Sequence, residues 1–376
     1  MPELYPGASE SRRLSRLNRM ECSYKALPWN ILFGAGMKER LPAALDELGL
    51  SAALVLCTPG QRARAESISE LLGERAVGLF SNARMHVPAA TLEEATQVAR
   101  SLGAKCTVSI GGGSTTGLGK ALAVREGLDN VAIPTTYSAS EMTDIWGVTE
   151  DGRKSTSRDR AALPTLTLYD PRLTVSLPPS VSAASGLNGL AQAVVNVATD
   201  RPNPMIESLA LDGIRALAQS LPKVIAEPDN IEARSQALYG TAMAGCAIGL
   251  GATSLHHKLC HAFGGALDTP HAETHAILLP HSVAYNAAAA AAGTRRVAEA
   301  LGVDDAATGI HELTKRIGAP TSLQQIGVAE SDLDLVVERV TALSFHNPEP
   351  VTLVGIRALL LDAFEGVPPK NARARG

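Results

Sequence analysis

The sequence predicts an N-terminal α/β domain followed by a C-terminal domain made only of helices. Two observations predict this fold class. Short apolar strands alternate with helical segments as far as about residue 177, which is typical of βαβ units and a mostly parallel sheet. After Leu177-Pro178-Pro179, the periodic segments all have helical spacing. We therefore expect a flexible extension at residues 1–22, an α/β domain at 23–178 and a helical domain at 179–376.

The elements of the first domain follow from apolar runs bounded by breakers, such as the run that ends at Thr58-Pro59-Gly60. The predicted strands are Ile31–Phe33, Ala52–Cys57, Cys106–Ile110 and Asn130–Ile133, and the predicted helices are Met37–Leu48, Arg62–Leu72, Glu93–Leu102 and a segment that includes Ala121–Arg125.

In the second domain, the alanine run Ala287–Ala292 strongly favours a helix by its composition. Periodicity predicts further helices at Val181–Thr199, Met205–Leu221, Ile231–Leu250, Thr253–Gly264, His311–Ile317, Asp332–Leu343 and Val354–Phe364.

Composition excludes several classes of protein. Hydrophobic residues make up 45 % of the 376 residues, which is enough for a large core and too many for a disordered chain. A formal net charge of −4 and an aromatic content of 3 % argue against a nucleic-acid partner. No apolar run reaches the roughly 18 residues that span a membrane.

Five scattered cysteines without a CxxC pair favour a reducing cytoplasm. The Arg-rich start lacks the apolar segment of a secretory signal, and Met20 is an alternative start.

A glycine-rich loop follows one predicted strand and precedes a helix. It contains Gly111, Gly112, Gly113 and Ser114. Successive glycines let backbone amides approach an anion, and a helix N-terminus adds its dipole, so the loop predicts a pyrophosphate site. A tight turn is the alternative. A P-loop ending at Gly119-Lys120 is excluded, because Ala121 stands where serine or threonine is required. Thr135 and Thr136 follow the next strand and form either a nucleotide contact or a polar turn.

Histidines are concentrated in one part of the second domain. Pairs four residues apart share a helix face and commonly hold a metal ion. Such a metal would need ligands from the first helix of this domain, where Asn188 and Gln192 offer only neutral amides. Acid–base work or anion binding is the alternative use. The six clustered histidines are His256, His257, His261, His271, His275 and His281.

At these motifs the chain resembles the iron-containing alcohol dehydrogenase superfamily, and within it the maleylacetate reductases. The resemblance runs from about Tyr24 to Gly366. It rests on FGAG (33–36), TPGQ (58–61), GGGSTTGLGKA (111–121), IPTTYSASEMTDIWGVTE (133–150), LYDPRLTVSLP (168–178), SGLNGLAQAV (185–194), HHKLCHAFGGALDTPHAETHAILLPH (256–281) and NPEPVT (347–352).

The resemblance implies a dehydroquinate synthase-like fold whose first domain binds a dinucleotide, with a cleft between the domains, and a homodimer. It assigns the glycine loop to the pyrophosphate, Thr135 and Thr136 to the nucleotide, Thr58 to the adenosine side and Lys154 to the ribose near the nicotinamide. The cofactor is NADH or NADPH. The implied activity is reduction of the carbon–carbon double bond of maleylacetate to 3-oxoadipate during the degradation of aromatic compounds.

The resemblance also indicates which positions would bind a metal ion. Metal-dependent members use an Asp and a His four apart on the first helix of the second domain, and two histidines that correspond here to His257 and His271. His261 corresponds to an active-site histidine that is not a ligand. Asn188 is typical of maleylacetate reductases, which are taken to work without metal, whereas Gln192 departs from the histidine they usually have there.

A mechanism without metal is chemically coherent. Hydride added to the carbon β to the ketone leaves an enolate, which imidazole donors can stabilise. We expect His261 or His257 to donate to the enolate and supply the proton, His271 to shape the pocket, and Lys258 and Tyr137 to bind the carboxylates of a small dicarboxylate substrate. The alternatives are a metal-dependent dehydrogenase of small alcohols or aldehydes, and a divergent paralogue with another substrate or with cofactor binding alone.

Overall fold

The computed structural model describes residues 22–150 and 153–370, without the side chains of residues 153 and 154. Most of the predicted extension and the last six residues lie outside this range. In the described residues, the first half contains helices α1 (Leu41–Glu47), α2 (Arg62–Leu72), α3 (Ala89–Ser101) and α4 (Gly113–Glu126), and strands β1 (Ile31–Phe33), β2 (Ala53–Leu56), β3 (Ala76–Phe80), β4 (Cys106–Gly111), β5 (Asp129–Pro134), β6 (Ile145–Glu150), β7 (Arg153–Arg158) and β8 (Leu166–Tyr169).

Six of these strands form one sheet in the order β1-β8-β5-β4-β2-β3, and every neighbouring pair is parallel. Side chains of β2 alternate between its two faces. Ala53 and Val55 pack with α1 and α2, whereas Leu54 and Leu56 pack with α3 and α4. The helices that follow β2 and β4 therefore leave these neighbouring strands towards opposite faces. That reversal opens a crevice at the carboxyl ends of the strands, where such sheets bind ligands.

The second half is helical, as predicted. Helix α5 is buried along most of its length, in a core that also includes side chains of α6, α7 and α9. Asn203 and Asn230 accept hydrogen bonds from the first backbone N–H groups of α6 and α7, and so fix where these helices begin. The helices are α5 (Pro179–Val197), α6 (Pro204–Ala226), α7 (Ile231–Leu250), α8 (Leu255–Leu267), α9 (His271–Asn286), α10 (Ala291–Leu301), α11 (Ala306–Arg316), α12 (Leu333–Thr341) and α13 (Leu353–Glu365).

Only the last two residues of the alanine run, Ala291 and Ala292, are helical, and they begin α10. Residues 287–290 make a turn between α9 and α10. Early in α10, a Cβ added to Gly293 would lie 2.0 Å from the carbonyl oxygen of Val197, so this helix packs directly on the end of α5. That tertiary contact sets where α10 lies and overrides the local preference for helix.

Four strands were not predicted from periodicity, namely β3, β6, β7 and β8. The antiparallel pair β6 and β7 forms a hairpin apart from the main sheet. Asp151-Gly152 lies between these strands in the sequence, and this dipeptide is a strong hairpin signal that could have identified the pair.

Arg158 on β7 attaches the hairpin to the helical half. The guanidinium of Arg158 donates to the carbonyl oxygens of Ile248, Gly249 and Gly251 at 3.1, 2.6 and 2.9 Å. It also forms a salt bridge with Asp144. A cation at the carbonyl end of α7 satisfies acceptors that the helix leaves unpaired and interacts favourably with its dipole.

In the described part of the chain, no single helix is long and apolar enough to cross a membrane. Only α7 and α8 taken together, bent by 97° where they meet, pass that test.

Candidate functional site

A cavity of about 640 Å³ lies between the two halves, at the carboxyl edge of the parallel sheet. Its wall on the sheet side contains Thr58 after β2, the glycine loop after β4, and Thr135 and Thr136 after β5. Its wall on the helical side contains residues of α5, α8 and α9. The fold therefore brings the two motifs that the sequence singled out, the glycine loop and the histidine cluster, to opposite walls of one cavity.

The glycine loop lines the cavity with Gly112, Gly113 and Ser114. A Cβ added to Gly112 would lie 2.9 Å from Cγ2 of Thr136, so only glycine fits between the two loops. At Gly113 there is room, and α4 begins there without a side-chain cap at its N-terminus. Ser140 also lines the cavity, and its hydroxyl is buried without a partner among the described residues. These features fit a dinucleotide cofactor.

Lys120 on α4 lines the same cavity and is 1 % exposed. Its ammonium donates to the carbonyl oxygens of Ser140 and Ile145, both at 2.7 Å, and to the hydroxyl of Thr143 at 2.9 Å. These three bonds use all of its N–H donors. Burial lowers the pKa of Lys120 to about 7. Lys120 therefore fixes the segment that follows the Thr135 loop instead of facing a ligand.

Four histidines from the cluster line the helical wall, namely His257, His261, His271 and His275. The ring of His261 lies 6.4 Å from the rings of His257 and His271, measured between centroids. His271 and His275 are 4.6 Å apart. The helical spacing that the sequence showed thus produces one continuous imidazole surface.

His257 is tied to the amides of α5. Its Nε2 lies 2.9 Å from Oε1 of Gln192, and Nε2 of Gln192 donates to Oδ1 of Asn188 at 2.9 Å. Burial lowers the pKa of His257 to about 4, so the ring is neutral at pH 7. The hydrogen bond occupies one of its nitrogens, and the two amides are poor ligands for iron. Asn188, Gln192 and His257 therefore do not fit the iron ion that metal-dependent members of the resembled superfamily bind.

A second group of possible ligand atoms is formed by His275 of this wall with His256 and Cys260, which do not line the cavity. Nε2 of His256 and Nδ1 of His275 are 2.8 Å apart and share a hydrogen bond. Two nitrogens on one tetrahedral zinc ion lie about 3.3 Å apart, since each bond is about 2.05 Å. Burial lowers the pKa of both rings well below the usual value. The pair is a neutral, hydrogen-bonded support for the cavity wall.

The structure does not bring every expected residue to the cavity. Tyr137 is fully buried, and its hydroxyl contacts Thr174 and Arg234 instead of the cavity. Lys258 extends from the other side of α8, where its ammonium lies 5.9 Å from the ring of Phe345. The expectation that these two bind substrate carboxylates is therefore corrected.

Gly111 lies behind the loop surface, with its carbonyl accepting from the amide of Thr135. The backbone of Lys154 pairs with Thr149, and its side chain lies outside the described residues.

Sequence reasoning missed one imidazole in the cavity, that of His86, which comes from the sheet side. It lies in an irregular segment between β3 and α3, and an isolated histidine there carries no periodic signal. Lys120 was considered only as a P-loop lysine, and the buried cage around it depends on residues 20 or more positions later.

Comparison of the sequence with known protein families identifies relatives of both halves. The profile "Iron-containing alcohol dehydrogenase" matches residues 28–171, and "Fe-containing alcohol dehydrogenase family, C-terminal" matches residues 182–364. The chain is 47 % identical over 353 residues to the maleylacetate reductase of Sphingobium indicum, covering 94 % of this chain and all of the relative.

Two crystal structures of maleylacetate reductases have the same fold as this chain. The maleylacetate reductase of Agrobacterium tumefaciens superposes with a TM-score of 0.88 at 45 % identity, covering 92 % of this chain and 99 % of that one. The enzyme of Rhizobium sp. strain MTP-10005 gives 0.88 at 45 % identity, covering 93 % and 100 %. The chain therefore belongs to the iron-containing alcohol dehydrogenase family, within its maleylacetate reductase branch.

Proposed function

We propose that the protein is an NAD(P)H-dependent oxidoreductase that reduces the carbon–carbon double bond of maleylacetate to 3-oxoadipate in the degradation of aromatic compounds, without a metal ion. The observation that carries this proposal is the donor set opposite the glycine loop. It includes imidazoles and two amides; the lining carboxylate of Glu273 comes from α9, and α5 contributes none. Such a set suits an enolate better than an alkoxide that depends on a metal.

The nucleotide would bind along the sheet edge. Gly112, Gly113 and Ser114 would hold the pyrophosphate, Thr58 the adenosine side, Thr135 and Thr136 the nucleotide, and Lys154 the ribose near the nicotinamide. When bound, the reduced nicotinamide supplies hydride to the substrate carbon β to the ketone.

The chain's own task is to stabilise the resulting enolate and deliver a proton to its α carbon. His261 suits this role better than His257, because it lines the cavity half-buried whereas the lowered pKa of His257 keeps that ring neutral. His257 then contributes a fixed neutral ring, and His271 shapes the pocket beside it.

We propose a cytoplasmic homodimer. Strand β1 is at the edge of the sheet, and among the described residues it pairs only with β8. Ile31 and Phe33 on this strand are each 37 % exposed. An apolar edge with unpaired backbone groups is suited to pairing with a second copy. All five cysteines are free, as suits a reducing compartment.

The test is turnover by the purified, chelator-treated protein. It should oxidise NADH or NADPH when maleylacetate is added and should form 3-oxoadipate, with no loss relative to the untreated protein. Stoichiometric iron or zinc together with loss of turnover on chelation would instead support a metal-dependent alcohol dehydrogenase. Nucleotide binding without turnover of maleylacetate would support a divergent paralogue.

A further inference from the structure

His86 reaches across the cleft from the sheet side to the histidine wall. Its ring lies 5.6 Å from the ring of His271, at an interplanar angle of 89°. On α8, a Cβ added to Gly264 would lie 3.3 Å from Cε1 of His86. His86, His271 and His261 therefore form a row of imidazoles to which both halves of the protein contribute.

The backbone that holds His86 is strained. His86 and Val87 have φ values of 61° and 49°, a region that a β-branched residue such as valine rarely adopts. Thr149 on β6 holds both, since its amide donates to the carbonyl oxygen of Val87 and its hydroxyl to that of His86. Two consecutive strained residues kept in place by neighbouring contacts are typical of functional segments.

The charge of the cavity wall shows what these imidazoles could bind. Among the described lining residues, Lys120 is the only lysine or arginine, and its three donors are already used. His257 and His275 are neutral because burial lowers their pKa values. A dianion that enters this cavity thus meets the imidazoles of His86, His261 and His271, whose ring N–H groups are of the kind that donates to a carboxylate, together with one lining carboxylate, that of Glu273.

We propose that His86, together with His271, binds a carboxylate of the dicarboxylate substrate, so that the nucleotide-binding half contributes directly to substrate specificity. This inference rests on the proposed function for the identity of the substrate. It assigns to His86 a role in binding, and none in the delivery of the proton.

The informative variant is His86→Asn, because asparagine tolerates the left-handed backbone that this position requires. The KM for maleylacetate should rise about tenfold, the effect of about 1.4 kcal/mol. The KM for NADH and kcat should change by less than about threefold, since the nucleotide loop keeps its shape. An unchanged KM for maleylacetate, or parallel rises in both KM values, would overturn the proposal.

Two further variants separate binding from charge and from folding. Arg84→Asn removes an exposed cation from the same segment outside the described cavity lining, and should leave both KM values within about twofold. A rise equal to that of His86→Asn would overturn the proposal in favour of long-range charge. Gly264→Ala improves helix propensity in α8 but crowds His86, so the KM for maleylacetate should rise with no fall in Tm. An unchanged KM in this variant would also overturn the proposal.

A binding measurement keeps this proposal separate from the proposed function. Calorimetric titration of the NAD⁺-loaded protein with 3-oxoadipate does not depend on turnover, and the Kd should be about tenfold higher for His86→Asn than for the parent. Equal Kd values, or no binding to the parent, would overturn this site whatever the result of the turnover assay. Normal binding by a parent that lacks turnover would contradict only the proposed function.

Discussion

Nη1 of Arg234 donates to the hydroxyl of Tyr137 at 2.9 Å, 97 positions away in the chain. Arg234 lies on α7 and is fully buried, and its other donors reach the carbonyl oxygens of Pro228 and Val175. The guanidinium thus connects the helical half to the loop after β5 and to the segment that joins the two halves. These three partners of the guanidinium are neutral oxygens, so each acceptor matters for a buried cation.

Tyr137→Phe should lower the free energy of unfolding by about 1–3 kcal/mol, because it leaves a buried charged donor without its acceptor. Urea unfolding would measure the change. Tyr239→Phe is a matched control, since Tyr239 is 41 % exposed, and it should change stability by less than about 0.5 kcal/mol. A selective rise in the KM for maleylacetate with unchanged stability would instead restore Tyr137 to the substrate site.

His261→Gln should reduce kcat by about 10²- to 10⁴-fold, as expected when a general acid is removed. Steady-state kinetics with saturating NADH would show this. His346→Gln provides the control, because this histidine is exposed and pairs with Asp200 outside the described cavity lining. Retention of full kcat by the His261 variant would exclude it as the proton source.

The double substitution Asn188→Asp and Gln192→His should create a metal site. It supplies a carboxylate and an imidazole, and it removes the amide that holds His257 at 2.9 Å. Elemental analysis after incubation with iron or zinc should find the ion in the variant and not in the parent protein. Stoichiometric metal in the parent would show that the amides do not prevent binding.

The fold should lose stability in mild acid. Burial lowers the pKa values of His256, His257 and His275 below the ordinary value of 6.5. Between about pH 4 and 6.5 the unfolded chain therefore binds protons that the folded chain does not. The free energy of unfolding should fall as the pH drops below about 6.5, by up to about 1.4 kcal/mol per pH unit for each group. Above that range the three rings are neutral in both states, and their contribution is constant.

Chemical unfolding at a series of pH values would test this. The double variant His256→Gln and His275→Gln should show a shallower dependence on pH below 6.5 than the parent, even where its stability at neutral pH is lower. Equal slopes would indicate that these rings are already protonated in the folded protein.

How much the sequence predicts depends on whether the signal is local. Strand Cys106–Ile110 and helix Arg62–Leu72 follow from local periodicity, and the fold class is confirmed. Spacing also predicts the histidine wall, because residues four apart on a helix share a face. The same rule explains the error at Lys258, which directly follows His257 on α8 and must point elsewhere.

What sequence reasoning could not provide depends on contacts between distant segments. The left-handed backbone at His86 is held by Thr149, 63 residues later in the chain. The cage around Lys120 and the burial of Tyr137 likewise exist only once the two halves have packed together.

The attachment of Arg158 to the end of α7 affects how ligands reach the cleft. The two halves are joined by the chain near Pro178 and also by this guanidinium, so a simple rotation about one linker would have to break its bonds to three carbonyl oxygens. Wide opening of the cleft therefore requires release of the arginine, so the entry of substrate and nucleotide is coupled to the hydrogen bonds at the end of α7.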